Sequence, residues 1–165
     1  MENKSIPNFR IGFGVDIHQL VEGRPLIIGG VQLESSFGAL GHSDADVLLH
    51  AICDAILGAA NLRDIGFHFP DTDPKYKGAD SKVLLKDSFR LIQEKGYAVG
   101  NIDSTVLLEA PKVNPHIEEM QKIIAELLEV DIDQISIKAT RGEKMGYIGK
   151  GLGIQAFTNA LIYKR

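Results

Sequence analysis

The sequence predicts an α+β fold in a single domain, residues 1–165. The chain has 165 residues, the usual length of one domain. Hydrophobic residues make up 44% and charged residues 24% of it, as in folded globular proteins. Segments with strand and helix patterns follow one another without strict alternation. That order favours an α+β fold over a doubly wound parallel sheet.

The first third of the chain predicts three strands and a helix. Residues 9–18 are β-prone, and residues 25–34 have the pattern of two short strands separated by a glycine pair. Ser43 has the features of a helix N-cap, with Asp46 three positions later in an arrangement like a capping box. We therefore expect a helix from this point to about Gly58.

The remainder predicts one long irregular segment followed by further helices and strands. Residues 61–80 are rich in Gly, Pro and Asp and lack any period, and such a segment in a compact domain is usually functional or mobile. Beyond it we expect a helix over residues 81–95, a strand over 97–109 and a helix over 114–128 that begins at Asn114–Pro115. Two strands, 135–140 and 153–165, follow and are separated by a glycine-rich loop.

Charge and cysteine content restrict the classes of partner. The 18 basic and 22 acidic residues are interspersed and give a net charge of −4, so we expect no nucleic-acid partner. Cys53 is the only cysteine, which excludes an internal disulfide and is typical of a reducing compartment. The first twelve residues contain no signal-like apolar stretch, and no apolar run approaches the roughly 20 residues that span a bilayer. We expect a cytoplasmic protein with no membrane partner.

Three residues form a candidate metal site. Asp16 and His18 point to the same side of an extended strand, and His50 lies on a helix that is apolar on most sides. Two nitrogens and one oxygen with an open fourth position suit a catalytic Zn²⁺. We expect Asp46 and Asp54, one turn either side of His50, to orient its ring. The alternative is an ordinary surface pair beside a solvated helix face.

Other polar residues allow two interpretations each. His42 and Ser43 lie at the predicted helix N-terminus and can bind an anion or simply cap the helix. Asp64, Asp71 and Asp73 can bind cations or ribose hydroxyls, or only form turns. Neither the P-loop nor the dinucleotide-binding glycine pattern is present.

Five motifs together resemble one enzyme family: DIH at 16–18, GHSDADVLLHAICDA at 41–55, DIGFHFPDTDPKYKGADS at 64–81, APK at 110–112 and KATRGEKMG at 138–146. From about Ile11 to its end the chain is similar to 2-C-methyl-D-erythritol 2,4-cyclodiphosphate synthases. The resemblance implies a small mixed β-sheet with helices packed on one face, assembled as a homotrimer with active sites between subunits. It also implies metal-dependent cyclisation of a cytidine nucleotide substrate with release of CMP, a step in non-mevalonate isoprenoid precursor biosynthesis.

The resemblance assigns roles to residues. Asp16, His18 and His50 hold one Zn²⁺ per subunit, in agreement with the set above. Glu143 holds Mg²⁺ or Mn²⁺ against the substrate diphosphate, and His42 joins these four as a catalytic residue. The implied substrate-binding residues are Asp16, His18, His42, Ser43, Asp64, Ile65, Gly66, Phe69, Pro70, Asp71, Thr72, Asp73, Leu108, Glu109, Ala110, Pro111, Lys112, Val113, Asn114, Thr140, Arg141, Gly142, Glu143, Tyr147 and Lys150. Within this set, 64–66 include the ribose contacts, 69–73 line the methylerythritol part and 108–114 form the cytosine pocket.

The chain departs from the family pattern at two places. Relatives read A-T-T-T-E where this chain has Arg141 and Gly142 before Glu143, and an arginine there can bind phosphate bidentately. Lys150 and Leu152 replace an arginine and a glutamate near the centre of the trimer, which makes that region less polar. The ligand set also leaves open a zinc phosphohydrolase and a non-catalytic trimeric binding homologue with structural zinc. A set without thiolates argues against structural zinc.

Overall fold

The structure is a computed structural model that describes residues 7–165. Its strands are β1 (Phe9–Glu22), β2 (Leu26–Ile28), β3 (Val31–Leu33), β4 (Phe37–Ala39), β5 (Tyr97–Leu107), β6 (Ile135–Thr140) and β7 (Gly153–Lys164). Five of them form one sheet in the order β4-β1-β7-β5-β6, and β2 and β3 form a separate hairpin. Among the strands of residues 7–165, only β5 and β6 pair in parallel, so the sheet is mixed.

Helices cover one face of this sheet. The helices of the described residues are α1 (Val47–Ala59), α2 (Ile65–His68), α3 (Ser81–Glu94), α4 (Ile117–Leu127) and α5 (Gly146–Gly149), with short 3₁₀ turns at Pro74–Tyr76, Asn114–His116 and Ile132–Gln134, and α1, α3 and α4 make the cover. α1 packs on β1 and β7, α3 packs against α1, and α4 lies beside β6. This arrangement confirms the predicted α+β class. Within residues 7–165, no helix combines the length and the apolar character needed to cross a membrane.

The helix that carries His50 begins later than predicted. Asp46, not Ser43, is the N-cap of α1 and accepts a hydrogen bond from an N–H of the first turn. The Ser43 hydroxyl instead accepts from the N–H of Ala45, whose φ of 57° is not helical. Asp46 is fully buried and also accepts from Gly29 N at 2.9 Å and Gly30 N at 2.7 Å. One carboxylate therefore caps α1 and fixes it to the turn between β2 and β3.

The two faces of β1 differ sharply. Gly12 and Gly14 lie against α1, whereas Ile11, Phe13 and Ile17 on the opposite side have exposed fractions of 69%, 59% and 51%. Successive side chains of a strand point to opposite faces, which explains the alternation. We call the uncovered apolar side the outer face; its members include Ile11, Phe13, Val15, Ile17 and, on β7, Phe157.

The remaining predicted elements agree with the structure to within a few residues, with local exceptions. The segment 61–80 is not wholly irregular, because it contains α2 and one 3₁₀ turn. β4 was not predicted; it has only three residues, too few for a periodic pattern. The glycine-rich loop 141–151 contains the single helical turn α5, and a short 3₁₀ turn precedes α4.

Candidate active site

Three side chains from β1 and α1 converge at one point. Asp16 Oδ2 lies 2.9 Å from His18 Nε2 and 3.0 Å from His50 Nδ1, and the two histidine nitrogens are 3.4 Å apart. The three atoms thus form a nearly equilateral triangle. They constitute the group that can hold a metal ion, as the residue pattern predicted.

The triangle has the size of one face of a zinc tetrahedron. Zn²⁺ binds nitrogen and carboxylate oxygen at roughly 2.0–2.2 Å, so tetrahedral ligand atoms are about 3.3 Å apart. The observed separations of 2.9–3.4 Å match this edge length. Two imidazoles and one carboxylate leave the fourth position open, which is the pattern of catalytic rather than structural zinc sites. The residues therefore fit such an ion.

The backbone around His18 fixes the orientation of its ring. Because Asp16 and His18 are two apart on β1, both project to the helix-covered side. His18 Nδ1 lies 2.9 Å from the carbonyl oxygen of Leu40, so this nitrogen donates and leaves Nε2 free to bind a metal. Gly41 makes the approach possible, since a Cβ there would be 3.1 Å from His18 Cε1.

The electrostatics of the triad favour a charged pair when no metal is bound. Burial by itself raises the pKa of Asp16, but hydrogen bonds and charge from His18 and His50 lower it to about 2. Burial lowers the pKa of His50, and its contact with Asp16 more than reverses this, so its pKa is raised. Asp16 therefore remains a carboxylate, the form in which it can bind a metal.

The other side of the His50 ring contacts two serines, of which the sequence indicated only Ser43 as a site residue. His50 Nε2 lies 2.7 Å from Ser81 Oγ and 3.2 Å from Ser43 Oγ. The Ser81 hydroxyl in turn hydrogen-bonds Asp44 Oδ1, and the Ser81 N–H donates to Asp44 Oδ2 at 3.0 Å. Ser81 is fully buried at the start of α3.

The prediction that Asp46 and Asp54 orient His50 was wrong. Asp46 turns toward the β2–β3 turn as described above, and burial raises its pKa to about 6 despite three N–H donors. Asp54 Oδ1 instead accepts from Ile65 N at 2.7 Å and thereby attaches α2 to α1; burial raises its pKa. Both carboxylates are one turn from His50, yet each satisfies a backbone N–H elsewhere.

A cavity of about 420 Å³ opens beside the triad. Its lining combines two triad members with two groups of predicted substrate residues, 42–43 and 65–71. The lining residues are His18, Gly41, His42, Ser43, His50, Ile65, Gly66, Phe69, Asp71, Tyr76 and Leu84. Gly41, Tyr76 and Leu84 were not predicted as site residues. Of these three, only Tyr76 lies in the irregular segment 61–80, whose composition had indicated a functional role. His42 and Ser43 precede α1 by several residues, so they do not form its N-terminus as expected.

A second cavity of about 320 Å³ gathers most of the predicted residues of segments 108–114 and 140–143. It is lined by Leu108, Pro111, Lys112, Val113, Asn114, Ala139, Thr140, Arg141 and Glu143. Glu109 does not line it: its Oε2 accepts from Gly142 N at 2.9 Å and holds the loop after β6 in place. Glu143 has a φ of 51°, a left-handed conformation uncommon outside glycine and frequent at functional positions.

The two cavities lie at the same end of the sheet but on different strands. His18 on β1 pairs with Ile154, and the adjacent Gln155 pairs with Leu107 on β5, opposite Thr140 on β6. β1 and β6 are separated by β7 and β5. At roughly 4.8 Å between strands, the two strands lie about 14 Å apart.

Several predicted residues lie outside these cavity walls or have other partners. Asp64 caps α2 through Phe67 N, and Asp73 caps the following 3₁₀ turn through Lys75 N. Pro70, Thr72 and Ala110 are chain neighbours of cavity residues. Tyr147 lines a smaller cavity beside α5 and hydrogen-bonds Gln155, and Lys150 ends α5.

Comparisons with known proteins agree with this geometry. The profile of the YgbB family matches residues 9–163. A Cytophaga hutchinsonii protein named 2-C-methyl-D-erythritol 2,4-cyclodiphosphate synthase is 58% identical over 94% of this chain and 98% of its own length. A Bacteroides thetaiotaomicron protein of the same name is 59% identical over 94% and 98%. The bifunctional IspDF from Campylobacter jejuni has a TM-score of 0.92 at 41% identity, over 95% of this chain and 42% of that longer one. A CDP-bound 2C-methyl-D-erythritol-2,4-cyclodiphosphate synthase has a TM-score of 0.86 at 37% identity, over 93% and 99%.

Proposed function

Since the chain belongs to the YgbB family, we propose that Asp16, His18 and His50 bind the Zn²⁺ of a 2-C-methyl-D-erythritol 2,4-cyclodiphosphate synthase. The observation that carries this assignment is the triangle of three ligand atoms, 2.9–3.4 Å apart, beside a cavity. The enzyme is a phosphorus–oxygen lyase of the methylerythritol phosphate pathway, as its relatives are. Residues 1–165 act as its one catalytic domain.

The reaction closes a ring within one substrate molecule. An oxygen of the 2-phosphate of 4-diphosphocytidyl-2-C-methyl-D-erythritol 2-phosphate attacks the β-phosphorus, and the bond from that phosphorus to the CMP oxygen breaks. CMP leaves with the bond's electrons, and 2-C-methyl-D-erythritol 2,4-cyclodiphosphate remains. When bound, Zn²⁺ held by Asp16, His18 and His50 and a second ion, Mg²⁺ or Mn²⁺, held by Glu143 would neutralise the phosphate charge and align the reacting groups. The protein needs no Ser or Cys nucleophile, and Cys53 is buried.

The chain's own residues bind and orient the substrate. His42 and Ser43 contact the phosphate beside the triad, where the Ser43 oxygen accepts from Ala45 N and leaves its hydrogen free to donate. Residues 64–66 bind the ribose, and residues 69–73 cover the methylerythritol part. The position of Ile65, Gly66, Phe69 and Asp71 in the wall of the 420 Å³ cavity supports this assignment.

The second cavity receives the cytosine and part of the diphosphate. Residues 108–114 surround the base, and Thr140 to Glu143 face the diphosphate. Tyr147 and Lys150 are further substrate-binding residues on the side of α5. Glu143 holds the second divalent ion. Lys112 and Arg141 place two positive charges in the wall of this cavity, which suits an anionic ligand. CDP bound to a relative of the same fold supports a cytidine nucleotide as substrate.

The active enzyme is a homotrimer with its sites between subunits. Two observations support the proposal. The triad and the cytidine cavity lie on strands about 14 Å apart in one chain. The triad of one chain and the cytidine cavity of a neighbouring chain can therefore form one site. The outer face is apolar and uncovered, with Ile11 and Phe13 more than half exposed, as expected of a surface that associates. We also propose a cytoplasmic location, which the single free cysteine favours.

The experiment that tests the function follows phosphorus directly. The purified protein is incubated with the cytidylylated methylerythritol 2-phosphate, Zn²⁺ and Mg²⁺, and ³¹P NMR records the products, with EDTA as control. We expect CMP and a cyclic diphosphate only when metal is present. CMP with a linear product would indicate a zinc phosphohydrolase instead. No turnover by a zinc-loaded protein would favour a binding homologue and direct attention to Arg141 and Gly142.

A matched variant separates metal binding from folding. His50→Ala is expected to lose zinc and turnover together, because it removes one of three ligands. Zinc content by atomic absorption and unfolding temperature by circular dichroism are measured side by side. A folded His50→Ala protein with a full zinc content contradicts the ligand assignment.

A further inference from the structure

The Asp44–Ser81 pair lies against the nitrogen of His50 that faces away from Asp16. We propose that Ser81, held by Asp44, is a positioning residue that keeps the His50 proton on Nε2 and so leaves Nδ1 as the ligand. The inference rests on the proposed metal site. It adds two residues, Asp44 and Ser81, that are neither proposed metal ligands nor proposed substrate contacts.

The direction of the hydrogen bonds follows from the donors available. Asp44 as a carboxylate can only accept, and it receives both the N–H and the O–H of Ser81. The hydroxyl has a single hydrogen, which is committed to Asp44. Ser81 Oγ can therefore only accept from His50 Nε2, 2.7 Å away. The imidazole must carry its hydrogen on Nε2 for this contact to be favourable.

The competing tautomer is available in the same site. His50 Nδ1 lies 3.0 Å from Asp16 Oδ2 and can donate to it when no metal is bound. In that tautomer Nδ1 has no free lone pair, and Nε2 faces the lone pairs of Ser81, 2.7 Å away, without a hydrogen between them. Only the more distant Ser43 hydroxyl, at 3.2 Å, can then donate to Nε2. Asp16 favours this tautomer in the metal-free site, and Ser81 opposes it, because an unmade hydrogen bond at a fully buried position is costly. The same logic applies to His18, where a backbone carbonyl occupies the second nitrogen.

The pair also connects the metal site to the segment that lines the cavity. Ser81 directly follows residues 61–80, and Asp44 N donates to Ala79 O at 3.1 Å. Gly78 N donates to His42 O at 2.8 Å, so backbone hydrogen bonds attach the end of the segment to both His42 and Asp44. The path of residues 61–80 therefore determines the position of Ser81 relative to His50.

The first test compares two buried serines of the same helix. Ser81→Ala is expected to weaken zinc binding by roughly 10- to 100-fold, the usual effect of removing a partner of a ligating histidine. Ser43 Oγ, 3.2 Å from Nε2, can partly replace it, which favours the lower end of that range. Ser88→Ala is the matched control, because Ser88 is equally buried in α3 and its hydroxyl makes no hydrogen bond within residues 7–165. Zinc dissociation constants come from competition with a chromophoric chelator.

The second test observes the tautomer itself. Two-bond ¹H–¹⁵N spectra of ¹⁵N-histidine-labelled, zinc-loaded protein distinguish a proton on Nε2 from one on Nδ1 and follow the exchange of that proton with water. We expect the proton on Nε2, with slow exchange in the wild type, faster exchange in Ser81→Ala and slow exchange again in Ser81→Thr, which keeps the hydroxyl. A merely structural role for Ser81 would leave this exchange unchanged.

The outcomes separate this inference from the proposed function. If the wild type binds no zinc, the metal site itself is wrong. If the wild type binds zinc and Ser81→Ala binds it equally well, or the wild-type ring carries its proton on Nδ1, the inference alone is overturned. If Ser81→Ala does not fold, the wild-type tautomer decides the matter by itself.

Discussion

Gly14 allows α1 to lie directly on β1, and replacing it by alanine tests whether this close packing holds the metal site together. A Cβ on Gly14 would lie 2.0 Å from Ala51 O and 2.7 Å from Ala55 N, both backbone atoms of α1. Ordinary contact begins near 3.4 Å, so the strand and helix must separate by about 1.4 Å. Because neither atom belongs to a flexible side chain, the new methyl group cannot be accommodated by a rotamer change.

The separation acts on stability and on metal binding together. Overpacking of this kind costs about 1–3 kcal/mol, which in a domain of this length lowers the unfolding temperature by roughly 2–12 °C. Asp16 and His18 lie on β1, and His50 lies on α1. Since metal–ligand distances tolerate only about 0.2 Å, we expect zinc affinity to fall at least tenfold.

The assay measures the zinc dissociation constant and the unfolding temperature of Gly14→Ala beside those of Gly58→Ala. Gly58 lies in α1 with open space around its missing Cβ, so the same substitution there is expected to stabilise the protein by about 0.5–1 kcal/mol and leave zinc binding unchanged. If Gly14→Ala binds zinc as tightly as the wild type and unfolds within a degree of it, direct backbone packing does not hold the triad in place.

Three further outcomes are expected. Glu143→Gln should weaken the dependence of turnover on Mg²⁺ while zinc remains bound; an unchanged Mg²⁺ titration removes Glu143 from that role. Because burial raises the pKa of Asp46 from 3.8 to about 6, the folded state binds its proton more tightly than the unfolded state. The free energy of unfolding should therefore fall as the pH rises from about 4 to 6, and in urea titrations Asp46→Asn should lack this part of the fall. Lys138→Met, which removes an exposed pair with Asp103, should cost less than about 1 kcal/mol, and high salt should reduce the difference; a larger, salt-independent cost would contradict a screened surface interaction.

The metal triad could be predicted because its reasoning needs only local geometry. Asp16 and His18 follow from the two-residue period of a strand, and the burial of His50 follows from the apolar residues around it on a helix. The same local rules predicted most strands and helices. That the sheet is mixed, and which roles the residues of the second cavity have, came from the family resemblance and not from periodicity.

What local geometry could not predict is where a polar side chain finds its partner. Asp46 and Asp54 have the helical spacing to reach His50, yet both face backbone N–H groups brought near by distant parts of the chain. Ser81 lies 31 positions from His50 and contacts it only because the intervening segment returns to α1. No periodic pattern predicts such a contact. An unpaired buried backbone N–H is energetically unfavourable, so a carboxylate close to one hydrogen-bonds it.

The order of strands in the sheet has a consequence for how the protein folds. β7 lies between β1 and β5, although it follows both in the chain, and its Tyr163 pairs with Phe9. Until β7 is in place, β1 has only the three-residue β4 as a neighbour. Pairing over such a sequence distance makes folding slow, because loop closure precedes any stabilising contact. In a growing chain, the strand that carries Asp16 and His18 therefore finds its main pairing partner only after Gly153–Lys164 has been made, and acquisition of zinc should follow that pairing.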